Sequence, residues 1–445
     1  MDLVLILLRA VLAFIVVNAA LVVVAYVIYG ERKVGAHMQA RQGPNRAGPI
    51  GLLQSFADLL KMLKKEDTTP KDADKVVFFI APIVATFASV AVLAIIPWSP
   101  GRIDIFGVQV PMYVADVGVG MLVALALSSL GVYGVLMAGW SSNSKYSLLS
   151  GMRASSQVIS YELTFGISLI GVFLMAGSLS LVGITNSQTA SHDPLQPGIW
   201  HVLLQPVALL IFFCSALAEA ARTPFDLVEA ESELVSGYHT EYSGMRFGLF
   251  QLAEFNAVFT MSALTSVLFM GGWGSPLSAW FDSGRDLAGI PVLSGLLGSG
   301  IHWLLIKVFL FIFVFYWLRW TLPRFRYDQL MGLCWKVFLP TILANILVLS
   351  VLKLIFFPPP PPGVPLAQQA ATYNQLYWWV IAAIELVLGA LTIYGFSRLA
   401  GVSWFGKAER PVLMDRQIIL VRNAQGGRGT IEGEARPVGA SRGNQ

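Results

Sequence analysis

Nine long apolar stretches separated by polar segments dominate the 445-residue chain. They run approximately over residues 3–29, 76–98, 112–140, 157–184, 202–221, 247–270, 301–320, 336–357 and 376–396. Each approaches or exceeds the roughly 20 residues that a helix needs to cross about 30 Å of hydrocarbon. Backbone groups in lipid must be satisfied within the segment, so the pattern predicts an all-α integral membrane protein of about nine transmembrane helices. Residues 49–65 carry a different pattern. Leu52, Leu53, Phe56, Leu59, Leu60 and Leu63 recur at helical spacing with Asp58, Lys61, Lys64 and Lys65 interleaved. This predicts a flat amphipathic helix after the first span, lying in the membrane interface or packed on a partner. The first stretch reaches Tyr29 without a small-residue cleavage pattern and reads as a retained span. Residues 1–400 are thus expected to form a polytopic membrane domain. Past Gly401 the apolar signal fades into Gly- and Arg-rich sequence, expected to be a cytoplasmic, largely disordered tail over 401–445.

Composition agrees with the pattern: hydrophobic residues make up 56% of the chain and charged residues only 13%, far from the balance of a soluble domain. The net charge of +4 would fit a nucleic-acid partner, but its distribution argues for topology instead. Of the 30 Lys and Arg residues, 25 lie between Tyr29 and Val76, Trp140 and Gln157, Ala221 and Phe247, from Arg319 to Lys336, or after Phe396. These are alternate segments, so the positive-inside rule puts the N-terminus outside and the C-terminus in the cytoplasm. Cys214 and Cys334 form no Cys-x-x-Cys pair and the five histidines are scattered, so no metal, haem or iron-sulfur site is legible. No Gly-x-Gly-x-x-Gly fingerprint follows a strand, so the chain is expected to bind no nucleotide or flavin alone. Any redox centre must belong to a partner.

An ionisable side chain inside a span costs at least about 2.5 kcal/mol on insertion scales, which makes Glu162, Glu219 and Glu254 informative. Counted from the predicted span ends, all three lie within roughly 10 Å of the cytoplasmic side, beneath the loop that follows Glu219. In that loop Thr223 and Pro224 form a helix-start signal. The helix they predict would carry Asp226, Glu229 and Glu233 on one face and Glu231 on another. An acidic run by itself suits a solvated surface. Beside three intramembrane glutamates it reads better as a proton relay, because crowded, partly desolvated carboxylates can hold and pass protons near neutral pH. Asp116, near an outer span end, fits an interfacial position, and Glu385, in the ninth span, stays open between pairing with a polar group and a role in transport.

At these residues the chain resembles the NuoH family, NADH dehydrogenase subunit 1 of respiratory complex I. The matching blocks are Glu31–Val34, Met38–Asn45, Gly51–Asp58, Gly139–Tyr146, Ser160–Glu162, Ala218–Asp226, Glu229–Val235, Glu241–Met245 and Arg319–Asp328. In the acidic loop Ala221, Val228 and Ala230 stand where the family commonly has Asn, Pro and Gly, while the carboxylates are kept. The resemblance implies a membrane subunit that couples quinone reduction to proton pumping and is catalytic only within the assembly. It implies a quinone tunnel lined or supported by Arg32, Gln39, Arg41, Phe56, Asp58 and Arg222, and an acidic funnel of Glu162, Glu219, Asp226, Glu229, Glu231, Glu233 and Glu254. Arg32, Lys33 and Arg41 could instead anchor the inner interface by snorkelling. Quinone, ubiquinone or menaquinone, is then substrate, with NADH, FMN and iron-sulfur clusters in partner subunits. The implied partners are hydrophilic quinone-module subunits on the cytoplasmic face, small antiporter-side membrane subunits and lipids, with no nucleic acid. The polar tail favours a bacterial plasma membrane over the mitochondrial inner membrane. Two other readings fit the span pattern: the equivalent anchor of a membrane-bound hydrogenase, and a stand-alone proton or cation transporter. The latter is weakened by the absence of an internal repeat.

Overall fold

The computed structural model describes residues 2–100, 102–105, 108–189, 199–226, 236–276, 298–357 and 376–399. The oligoproline segment and the tail therefore lie outside the described residues. The chain is a helical bundle in which α1 (Asp2–Met38), α2 (Gln54–Lys64) and α3 (Lys75–Ala91) are followed by a hairpin of β1 (Arg102–Ile105) and β2 (Val108–Pro111). Next come α4 (Gly120–Ser141), α5 (Lys145–Ala176), α6 (Leu181–Gln188), α7 (His201–Leu204) and α8 (Pro206–Glu219). They are followed by α9 (Gly244–Phe269), α10 (Ile301–Thr321), α11 (Tyr327–Phe356) and α12 (Leu376–Leu399).

Among the described residues, eight helices are long and apolar enough to cross a membrane. The expected fifth span is α7 and α8 together, interrupted at Gln205 (φ −136°, ψ 61°). Pro206 explains the interruption: it has no N–H to donate, and its ring disfavours helical geometry at the preceding residue. The alternative of one continuous helix fails on backbone chemistry rather than on hydrophobicity.

Several expected span ends shift. α1 continues past Tyr29 to Met38, and α5 begins at Lys145 rather than near 157. Both extensions are polar helical turns whose side chains find protein partners, which a hydrophobicity window does not register. α4 begins at Gly120 rather than near 112, because Val108–Pro111 pairs with Arg102–Ile105 as a hairpin.

α9 is the centre of the bundle, with 83% of its most apolar window buried, against 17% for α1 at the rim. A helix buried on nearly every face must be tolerant of close neighbours, and small residues supply that elsewhere in the bundle. A Cβ on Gly134 of α4 would lie 2.7 Å from the Ala85 Cβ and 2.8 Å from its backbone N, so α3 and α4 touch almost backbone to backbone. Gly139 meets Gly151 across α4 and α5 in the same way. These close crossings bring the polar positions of α4 up against α5 and α8.

Candidate functional site

The three intramembrane glutamates converge. Glu219 is the last residue of α8, and Glu162 lies roughly four to five turns into α5. Adjacent serines on α4 serve both: Ser128 hydrogen-bonds Glu219, and the Ser129 hydroxyl donates to Glu162. Glu219 and Glu162 are close enough to interact electrostatically. On the central helix α9, Glu254 accepts a hydrogen bond from the Tyr238 hydroxyl at 3.2 Å. Glu219, Glu254, Ser89, Ser128, Tyr238 and Thr260 line one cavity of about 120 Å³, otherwise walled by apolar side chains and glycine. Glu219 Oε2 and Thr260 Oγ1 are buried there without a protein partner. The cavity has room for several waters at the 10–15 Å³ each requires, and these polar atoms are what water would bond.

Ser128 and Ser129 stand more than three turns before the end of α4 at Ser141, about 20 Å along the helix axis.

The acidic loop is described only as far as Asp226; Glu229, Glu231 and Glu233 lie outside the described residues. The helix expected to start at Pro224 is not present over residues 222–226, which form a turn closed by Phe225 N–H donating to Arg222 O at 2.9 Å. Phe225 packs against Tyr161 and Phe325, and Phe325 N–H donates to Pro224 O at 3.1 Å. Burial of Phe225 against these rings fixes the turn at 222–226. Asp226 is buried and accepts from Arg324 at 2.8 Å. His239 faces it electrostatically, but burial dominates and lowers the imidazole to about 4, so it is neutral. Burial likewise pushes the Tyr242 hydroxyl up to about 12.

The expected tunnel residues separate into groups. At the crossing of α1 and α2, Arg32 pairs with Asp58, Phe56 meets Tyr26 edge-on at 6.4 Å, and Ser55 donates to Ala25 O at 2.6 Å. Behind them Arg222 lies 3.7 Å from Glu31 and 4.1 Å over the Phe255 ring, with its Nε and Nη2 unpartnered. Gln39 and Arg41 bond each other in the exposed turn after α1. Arg41, with Lys33 and His37, lines a separate pocket there. Gln39 and Arg41 are therefore not brought to the α1–α2 crossing.

Sequence reasoning missed Glu31, which is buried and holds both Arg319 and Arg222. Its signal was present, an acid directly before Arg32 at the end of an apolar run, but the span had been ended two residues earlier. Ser128, Ser129 and Tyr238 were also missed, since hydroxyls in a span carry no charge signal. Glu385 is buried in α12 and accepts from Asn345 of α11, and Asp116 accepts from Ser180 at 2.8 Å. Among the described residues, no group of three His, Cys, Asp or Glu side chains is arranged to hold a metal ion.

Residues 11–350 match the family model described as NADH dehydrogenase. The chain is 46% identical over 335 residues to the H subunit of NADH-quinone oxidoreductase from Thermomicrobium roseum, covering 75% of this chain and 92% of that one. It is 48% identical over 334 residues to an H subunit, numbered 2, of NADH-quinone oxidoreductase from Syntrophobacter fumaroxidans, with the same coverage. It is 44% identical over 344 residues to NADH-quinone oxidoreductase subunit 8 of Rhodothermus marinus, covering 77% of this chain and 96% of that one.

Proposed function

The chain belongs to the NADH dehydrogenase family as an H subunit of NADH-quinone oxidoreductase, and on that premise we propose that it couples quinone chemistry to proton movement through its buried acids. It is a multi-pass membrane subunit of complex I, contributing to the enzyme through the assembly. The observation that carries the coupling reading is a chain of contacts across three helices: Glu162 and Glu219 bond adjacent α4 serines, and Glu219 and Glu254 line one cavity. Carboxyls linked through hydroxyls and a cavity with space for water can hand a proton from one to the next.

In this reading the quinone headgroup and tail pass along the α1–α2 crossing, where Arg32, Phe56 and Asp58 stand, with Arg222 and its unpartnered guanidinium nitrogens behind. Gln39 and Arg41 would act at the mouth rather than within. Asp226, with Glu229, Glu231 and Glu233, would feed the Glu219 cavity from the quinone side. Hydrophilic quinone-module subunits carrying the iron-sulfur clusters, with FMN and the NADH site beyond them, would dock over the polar segments. Antiporter-side membrane subunits would receive the charge. The proposed location is a bacterial plasma membrane, with the N-terminus outside, the C-terminus cytoplasmic and residues 401–445 a cytoplasmic tail. Family membership weighs against the hydrogenase-anchor and transporter readings, since the relatives are named for quinone reduction.

The test is Glu219→Gln in membranes, with NADH:quinone turnover and proton uptake followed together. Loss of both in an intact complex supports the coupling role; retention of both at the unmutated level removes Glu219 from it.

A further inference from the structure

α2 is unusual in having no buried residue, yet it is firmly held. Its first half crosses α1 through Ser55, Phe56 and Asp58. Its end meets the start of α9: Gly248 abuts Met62, and Gly244 lies against the carbonyls of Met62 and Lys65. A helix that meets one neighbour at each end runs across the bundle rather than along it. At 100° per residue, Ser55, Asp58 and Met62 form the side that faces the protein. The remaining surface divides into two flanks.

One flank is apolar and open: Leu53 is 52% exposed, Leu60 59% and Leu63 57%, with Phe56 and Leu59 beside them. The other carries Lys61 and Lys64, with Lys65 just past the helix end, all exposed. Lys64 stands one turn after Leu60, at the border of the two flanks. The acids nearest in sequence do not neutralise this cluster, because Asp58 is paired with Arg32 and Asp67 with Arg246 at 2.9 Å, leaving only Glu66. Three ammonium groups bordering an open apolar stripe match one partner chemistry: acyl chains under the stripe and a phosphodiester headgroup at its edge.

We propose that Lys61, Lys64 and Lys65, with the apolar flank of α2, form a binding site for anionic phospholipid headgroups. None of these lysines belongs to the tunnel or funnel residues, so substituting them leaves the proposed quinone path, Phe56 included, intact. Lysines in the last turn also favour the helix dipole, a role that would give no lipid preference.

The test uses the assembled, delipidated complex reconstituted into vesicles of phosphatidylcholine alone or with phosphatidylglycerol. The readouts are phosphatidylglycerol retained per complex on repurification and quinone-dependent turnover. The unmutated complex is expected to retain phosphatidylglycerol over phosphatidylcholine by about fivefold or more, at roughly one lysine's worth of surface attraction. The triple variant K61Q/K64Q/K65Q should lose that preference while matching unmutated turnover in phosphatidylcholine; K61R/K64R/K65R should keep it. A triple Gln variant that retains the full preference overturns the proposal. So does one that loses its hydrophilic subunits, which would assign the lysines to a protein partner.

Discussion

Glu31 illustrates how much a single side chain holds here. It is buried, accepts from Arg319 and stands 3.7 Å from Arg222, which itself is only 6% exposed. Glu31→Gln removes the countercharge of a buried guanidinium, a change that costs about 3–5 kcal/mol when an ion pair loses one partner. The expected result is a complex that loses activity at a lower temperature than the unmutated one, measured by thermal inactivation. The Arg32–Asp58 pair differs, because its side chains are 45% and 26% exposed, and solvent screening limits such a pair to about 0.2–1 kcal/mol. Asp58→Asn should therefore leave thermal stability nearly unchanged. If Asp58 serves the quinone path, the same variant lowers kcat/KM for quinone; if it only ties α2 to α1, kcat/KM stays at the unmutated value. His239 gives a pH signature. Its neutral form is favoured in the fold, from 6.5 down to about 4, so its contribution to stability is complete above pH 6.5 and is lost as pH falls through that window. His239→Gln should abolish this share of the acid sensitivity, read as a smaller drop in melting temperature between pH 7 and pH 5.

At the scale of elements, packing of α3 on α4 rests on the absence of a side chain at Gly134. Its Cβ would fall on the Ala85 backbone, which cannot swing aside, so Gly134→Ala is expected to destabilise by about 1–3 kcal/mol. Thermal melting of the assembled complex measures it, and an unchanged midpoint would mean that the two helices part freely. The existence of these helices was legible from apolar runs alone. Their ends were not, because the Lys145–Ser156 turns of α5 and the Glu31–Met38 turns of α1 are polar yet helical. Hydrophobicity reports where a helix meets lipid, whereas hydrogen bonding decides where it stops. The break before α8 was written in Pro206, whereas the turn at Pro224–Asp226 was not, since it rests on the distant packing of Phe225 on Tyr161 and Phe325.

Across the whole molecule, the acids singled out in the sequence by the expense of burying charge do gather where α4, α5, α8 and α9 meet. Chemistry was legible through charge, and the neutral groups that complete it were not: Ser128, Ser129, Tyr238 and Thr260 emerge only when the helices are packed. The arrangement places a cavity with room for several waters between carboxyls on a short helix and on the most buried helix of the bundle. Two connections lead from this site toward the α1–α2 crossing: the segment from Arg222 beside Glu31 to Asp226 beside Arg324, and α9 itself, which carries Glu254, stacks Phe255 under Arg222 and abuts the end of α2. In the proposed coupling, a titratable group at Glu219 links the two ends. NADH:quinone turnover and proton uptake, measured together in membranes carrying Glu219→Gln, test this most directly. Both are expected to fall, with the complex intact, because the glutamine keeps the size and hydrogen bonding of the side chain but cannot carry a proton. Turnover and uptake both at the unmutated level would contradict the coupling role and leave the buried acids a structural one.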